Sequence, residues 1–386
     1  MNVAVLYRTH HISLNALPSV PRVFAVLITE LKKANPDFNF YIGCPAGEKF
    51  EGATFIDIGN GYTTNKIYQW KRRLFGKFKL GQPTGQVNIK LVKKFFQNTP
   101  EPDIIICAKS SDIELAKKFA PHAKIIWWPL GIETFNRGKM MNSIHLSDLI
   151  VFTGPVLYQY IFKLILPAAF PTPVMICHIP YDTSTMQEYF NKYSKQSARS
   201  SLGIVSDEII MLHVGGNRPE KGFRVLEASL AMLPSTNKKY RLISIGHGKE
   251  SVTMLRNGII IEKRGFCKIR EMYLYYISAD IGLVVPLWLE PGPTTFIEML
   301  FFNISVVAAY NSGIPEMMGK TESAYSIYEA NDIIEWSLGI QTVLENEELR
   351  INLAKNGRKR AIEFFNQPII ADWSRAIKGF GEIKIK

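Results

Sequence analysis

The chain lacks any uninterrupted apolar run of the ~20 residues that a bilayer-spanning helix needs, so nothing in it reads as a membrane helix. Cysteine is scarce: four residues, Cys44, Cys107, Cys177 and Cys267, none in a CxxC or zinc-ligand spacing. That argues against a disulfide-stapled scaffold or a zinc module and points to a reducing cytosol, with the thiols buried singly. The opening stretch MNVAVLYRTHH has neither a basic start nor a cleavage site, and reads as a short buried strand rather than a secretory signal. Internal repeats and low-complexity segments are missing. No recognised nucleic-acid-binding module accompanies the positive charge, which weighs against a nucleic-acid partner.

What is present fits two domains of roughly 150–200 residues, each large enough for its own core. The 386 residues are 47% hydrophobic and 21% charged, ordinary for a soluble α/β protein. The net charge of +12 is unevenly placed. Residues 1–180 hold 21 Lys and Arg against 11 Asp and Glu, whereas residues 181–386 hold 25 against 23. The basic half is therefore the one expected to meet an anionic partner.

Short apolar runs alternate with longer helical patterns, the signature of parallel sheets covered by helices on both faces. Seven strands are predicted in the first half, beginning with Asn2–Tyr7. Six are predicted in the second, among them Glu208–Val214, Arg241–Ile245, Gly258–Glu262, Asp280–Val285 and Ser305–Ala309. The expected domains are 1–180 and 181–365, with the polar stretch 179–200 as their connection. A terminal helical region, 366–386, follows the helix Glu347–Phe365.

Two stretches carry the chemistry. In IGLVVPLWLEPGPTTFIEML, an apolar strand leads to Glu290, and a helix starting near Thr294 carries Glu298. Ligands of open α/β sheets bind beyond the carboxyl ends of the strands, and N–H groups at a helix start attract anions. In EIIMLHVGGNRPEKGF, a strand ends in Gly215 and Gly216, and Arg218 and Lys221 precede a helix. Small residues let the backbone approach a ligand, and two cations suit a diphosphate.

Together these blocks resemble the donor site of glycosyltransferase family 4, the retaining enzymes with the GT-B fold. RLISIGHGKE, RGFCKIREMYLYYISADIGLVVP and NSGIPEMM extend the resemblance in the same order. It implies an α/β chain of two doubly wound Rossmann-like domains facing each other across a cleft. The first would bind the acceptor, and the second a nucleotide-diphosphate sugar. The terminal helix would cross back to the first domain. The resemblance further implies that Lys221 and Arg218 hold the diphosphate, that Glu290 binds the donor sugar and that Glu298 binds the ribose. Thr294 and Thr295, after Pro293, would present N–H groups to a phosphate or the sugar. Gly246 would line the loop after the next strand, and Gly265 and Phe266 would pass close to the base. The chain departs from the family where Gly216 occupies the usual arginine position, and where Pro129 follows the strand that often precedes a histidine.

The implied reaction is retaining transfer of a glycosyl group to an acceptor hydroxyl, with no resident cofactor. No two aspartates stand at i, i+2, so the DxD metal motif of other sugar transferases is absent, in keeping with a metal-independent route. Two other readings use the same donor: a GT-B nucleotide-sugar epimerase, and a non-catalytic nucleotide-sugar-binding protein. Individual residues carry alternatives too. Thr295 and Glu298 also spell a capping box; Lys221 has the alternative of a surface lysine at a helix start, though its place after a strand and two glycines favours phosphate; Glu290 has that of a solvated loop acid, though its place at a strand's carboxyl end favours ligand contact. His10 and His11, just past the first strand, are candidate acceptor contacts or a base, or ordinary loop histidines. NKIYQWKRRLFGKFK, residues 65–79, reads as a basic amphipathic helix suited to an anionic membrane surface, or as a helix packed on its own domain. With it comes the expectation of a glycan or lipid-linked acceptor and of a cytoplasmic protein, peripheral on a membrane.

Overall fold

The structure, a computed structural model, describes residues 1–16, 19–59, 89–131, 137–164, 172–204 and 207–381. The stretch 65–79 lies outside the described residues. The chain forms two compact units, Met1–Pro180 with Pro368–Lys386, and Tyr181–Gln367.

Among the described residues the first unit has seven parallel strands: β1 (Asn2–Leu6), β2 (Asn39–Cys44), β3 (Ala53–Asp57), β4 (Ile104–Cys107), β5 (Lys124–Trp127), β6 (Leu149–Phe152) and β7 (Val174–Ile176). Their spatial order is β3-β2-β1-β4-β5-β6-β7. Both faces are covered, so central strands such as β4 (IIIC) and β6 (LIVF) are apolar at every position. The helix Ile369–Lys378 packs in this unit: Trp373 meets Trp128 edge-on at 4.8 Å, and the Asn35 amide donates to Ser374 Oγ at 2.9 Å.

The second unit also has seven strands among its described residues: β8 (Glu208–Val214), β9 (Lys239–Ile245), β10 (Ser251–Met254), β11 (Ile260–Arg264), β12 (Ile281–Val284), β13 (Ser305–Ala309) and β14 (Tyr325–Ile327). Their order is β10-β11-β9-β8-β12-β13-β14. Alternate side chains enter separate cores on the two faces, as a pleated strand requires. Ile210, Leu212, Ile243, Ile245 and Val284 join one core; Met211, Leu242, Ile281 and Leu283 join the other. The chain leaves β8 toward β9 on one side and later returns to β12 on the other, making the β8–β12 boundary a topological switch point.

Two expectations are corrected here. The second sheet is not wholly parallel, because β10 pairs antiparallel with β11 at the sheet edge with all four side chains exposed. Its pairing uses backbone groups and buries nothing, so no apolar run announced it. The polar stretch 179–200 is not a bare connection either. It contains the helix Thr183–Lys192 and enters the helix Lys195–Leu202, both within the second unit. Asp182 and Ser194 cap them by accepting from Thr185 and Ser197 N–H. Met186 and Ala198 join the core that contains Tyr273 and Tyr276, with Tyr189, Phe190 and Leu202 packed against it.

Candidate functional site

At the switch point the loops after β8 and β12 bring Lys221 and Glu290 together. Lys221 Nζ donates to Glu290 Oε1 at 2.7 Å and to Oε2 at 2.6 Å. The two side chains are 15% and 18% exposed, so the pair is largely withdrawn from solvent yet open on one side. Neither residue is the surface lysine or solvated acid that its sequence context also allowed.

Backbone contacts explain the placement. Gly215 and Gly216 both donate to Ile245 O, at 3.0 and 2.9 Å, which folds the loop after β8 onto the end of β9. Gly216 has φ +61°, and a Cβ there would stand 2.0 Å from Gly246 O, so only glycine fits. The chain then makes one 3₁₀ turn, Pro219–Lys221, that ends in left-handed Gly222. Leu287 N–H donates to Glu220 O at 2.9 Å, joining this turn to the loop that carries Glu290.

Glu290 is held by a residue that sequence reasoning did not single out. Ser312, at φ +57°, accepts from Glu290 N–H at 3.1 Å and donates to Trp288 O at 2.8 Å. Gly313 N–H donates to Glu290 O at 2.9 Å. A non-glycine residue in the left-handed region is a local sign of constraint, but a sequence does not display φ.

A second missed group lies beneath Lys221. The His213 ring contacts Lys221 O through Nε2 and Ser244 Oγ through Nδ1, both at 2.9 Å. Ser244 Oγ meets His247 Nε2 at 2.8 Å. Burial pushes the His213 imidazole down to about 4, with the Lys221 carbonyl bond opposing it and His247, Lys221 and Arg218 adding to it. His247 is shifted the same way, first by burial and then by Lys263.

The other expected residues are distributed as follows. Arg218 is exposed, its guanidinium Nε 3.4 Å from Gly215 O, on the same loop as Lys221. Gly246, at φ +103°, donates to Arg264 O at 3.0 Å, and Gly265 donates to Glu250 Oε1 at 2.9 Å. Phe266 projects with 71% exposure. The helix Thr294–Phe301 has Pro293 at its N-cap with no side-chain cap, so Thr295 lies inside the helix and the capping box does not form. Glu298 is buried and accepts from the Tyr276 hydroxyl at 2.8 Å.

In the first unit, His11 is tied to the loop after β2: its ring nitrogens face Pro45 O, at 2.7 Å, and Glu48 O. That favours a loop-fixing role over a base. His10 is exposed and lies beside Tyr7, with its imidazole shifted down by partial burial and by Lys109. Behind them, Arg8 forms a buried ion pair with Asp112 and donates to Ser111 Oγ at 2.9 Å. Desolvation raises the Asp112 carboxyl in spite of that partner. Among the described residues no group of three or more His, Cys, Asp or Glu could hold a metal ion, and no helix is long and apolar enough to cross a membrane.

Residues 194–360 match the family model described as Glycosyl transferases group 1. The matched stretch lies within the second unit. A curated relative, the putative teichuronic acid biosynthesis glycosyltransferase TuaC of Bacillus subtilis (strain 168), is 27% identical over 130 residues, which cover 34% of this chain. The match spans about a third, 32%, of that relative's length. Among solved structures, sucrose-phosphate synthase from Thermosynechococcus elongatus aligns with a TM-score of 0.75 and 15% identity over 98% of both chains. Anabaena Alr3699/HepE in complex with UDP-glucose aligns at 0.68 and 15% over 98% of both. At these identities the structural likeness shows the fold alone, and that fold is the mixed α/β, Rossmann-like architecture of GT-B glycosyltransferases.

Proposed function

We propose that the protein is a retaining glycosyltransferase that moves a sugar from a nucleotide-diphosphate donor to an acceptor hydroxyl without a metal. One observation carries this reading: the Lys221–Glu290 pair at the switch point, 2.6 Å apart on glycine-built loops. The cation is suited to the donor diphosphate and the carboxylate to sugar hydroxyls, so a single donor molecule would engage both. Arg218 shares the loop and supplies a second cation. The start of the helix Thr294–Phe301 directs N–H groups outward for a phosphate.

In this reading the acceptor oxygen attacks the anomeric carbon from the face that the phosphate leaves. The new carbon–oxygen bond forms as the carbon–phosphate oxygen bond breaks, and the departing phosphate takes the acceptor proton. Lys221 offsets the charge that builds on that phosphate. Glu290 orients the sugar and forms no covalent bond. Glu298 is assigned to the ribose, its carboxylate steadied by Tyr276, and Phe266 offers an exposed ring for the base.

The acceptor we infer is a glycan or lipid-linked glycan. The basic excess of residues 1–180 supports an anionic partner, and the TuaC relative is named for teichuronic acid biosynthesis. A peripheral position on the cytoplasmic face of a membrane follows from the same charge. Salt-sensitive binding to anionic liposomes, weakened by neutralising Lys71, Arg72 and Arg73, tests that part.

The donor is tested by thermal shift with UDP, GDP, ADP and their sugars, followed by incubation with and without candidate acceptors. Release of nucleoside diphosphate together with a glycosylated product of retained anomeric configuration supports transfer. Epimerised donor in the absence of any acceptor would replace this reading with an epimerase. Binding without turnover on any acceptor or water would replace it with a binding protein.

A further inference from the structure

We infer that His213, Ser244 and His247 form a positioning relay that fixes the backbone of Lys221 and so aims its ammonium, an inference that rests on the phosphate role proposed for Lys221. The hydrogen-bond directions follow from the partners. A carbonyl only accepts, so the 2.9 Å contact with Lys221 O places the proton of His213 on Nε2. The buried ring is uncharged, which leaves Nδ1 bare to accept from the Ser244 hydroxyl at 2.9 Å. Having given its proton to His213, Ser244 Oγ accepts from His247 Nε2–H at 2.8 Å. Every donor points the same way, from His247 through Ser244 and His213 to Lys221.

The direction matters because imidazole has two neutral tautomers, and the partner of one nitrogen selects which nitrogen carries the proton. Without Ser244 donating to Nδ1, His213 is free to place its proton there and leave Lys221 O unpaired. His247 therefore acts at a distance, by obliging Ser244 to donate toward His213. Lys221 needs such an anchor, for it ends a single 3₁₀ turn and is followed by left-handed Gly222. The anchor itself is firm: His213 and Ser244 are register partners on β8 and β9, and the Phe223 ring lies against both imidazoles at 5.8 and 4.8 Å. The charged groups around the relay are Lys221 and Arg218 on the loop, Lys263 on β11, whose ammonium is 4.9 Å from the Phe223 ring, and Glu227, paired with Lys263 at 3.0 Å. None of them interrupts the chain of donors.

A double-mutant cycle on the whole protein tests this, read by titration calorimetry with whichever of UDP, GDP and ADP the wild type binds. His213→Phe keeps a ring and removes both nitrogens; its diphosphate affinity is expected to fall about 10-fold, the scale of one lost hydrogen bond. His213→Gln, which returns an N–H donor near the Nε2 position, is expected to recover to within about 3-fold of wild type. In a Lys221→Ala background, His213→Phe should shift affinity by less than about 2-fold, because the relay then has no ammonium to aim. Equal losses in both backgrounds, or no recovery with His213→Gln, overturn the relay. Should His213→Phe not fold, Ser244→Ala breaks the middle link, with a loss of at least about 3-fold expected only when Lys221 is present; the same loss in both backgrounds overturns the proposal. A wild type that binds none of the three diphosphates removes the phosphate reading and the relay with it. Additive losses in a protein that does bind remove the relay alone.

Discussion

Lys221 Nζ lies 2.7 and 2.6 Å from the two carboxylate oxygens of Glu290, although 69 residues separate them in the chain. A bound diphosphate would compete with Glu290 for this ammonium. Donor binding would then exchange one anion for another at the same cation and free the carboxylate for sugar hydroxyls. The pair would be a resting arrangement that holds both groups in place until the donor arrives.

Lys221→Ala removes the cation proposed to stabilise the leaving phosphate. Preorganised groups of this kind are worth ~3–4 kcal/mol, or ~10²–10³ in rate. Turnover in a steady-state assay at saturating donor is expected to fall by about that factor. A variant that keeps near-normal turnover would reject Lys221 as the phosphate clamp.

Glu290→Gln separates binding from chemistry. The neutral amide competes less for Lys221, so nucleoside-diphosphate affinity should hold or rise, by up to about 10-fold, the worth of a modest ion pair. Transfer should fall about 10²-fold, because the sugar would lose the carboxylate proposed to orient it. Affinity and turnover moving in opposite directions is the signature. A parallel fall in both would place Glu290 on the phosphate side of the donor.

The glycines provide a matched pair for stability. A Cβ on Gly216 meets Gly246 O at 2.0 Å in a left-handed backbone, whereas one on Gly248 has nothing within 4 Å. Gly216→Ala should therefore destabilise by at least ~2 kcal/mol, from the left-handed penalty plus the clash. Gly248→Ala should lie within about 0.5 kcal/mol of wild type. Urea unfolding of the two variants side by side measures the contrast; equal stabilities would contradict the packing of the β8 and β9 loops.

Much of this site was legible because parallel strands buried on both faces read as continuous apolar runs. EIIMLHV and IGLV announce β8 and β12, and the residues just past them are then at carboxyl ends by construction. Other features left no such trace. β11 runs to Arg264, three residues beyond its apolar part, and there Glu262 pairs with Arg241 at 2.9 Å and with Arg264. His213 and Ser244 stand 31 residues apart and meet only through the β8–β9 register. The support that Ser312 gives Glu290 depends on a backbone angle, which composition does not encode. Periodicity marks where a strand ends; which polar groups the ends bring together is decided by the sheet order.

Acid sensitivity follows from the buried imidazole. The His213 ring is pushed from 6.5 down to about 4 in the folded protein, while in the unfolded chain it titrates at its ordinary value. Between those two values the unfolded state binds the extra proton and the folded state does not, so stability is lost as pH falls through this window. At ~1.4 kcal/mol per pH unit, the imidazole accounts for about 3 kcal/mol, fully present above pH ~6.5 and gone by about pH 4. His247 shifts in the same direction and adds to the slope. Carboxylates also titrate here, so the quantity to measure is a difference. Urea unfolding of wild type and His213→Gln at pH 7 and pH 5 should show the variant losing less stability on acidification. Parallel losses would mean that the His213 ring is not buried uncharged beneath Lys221.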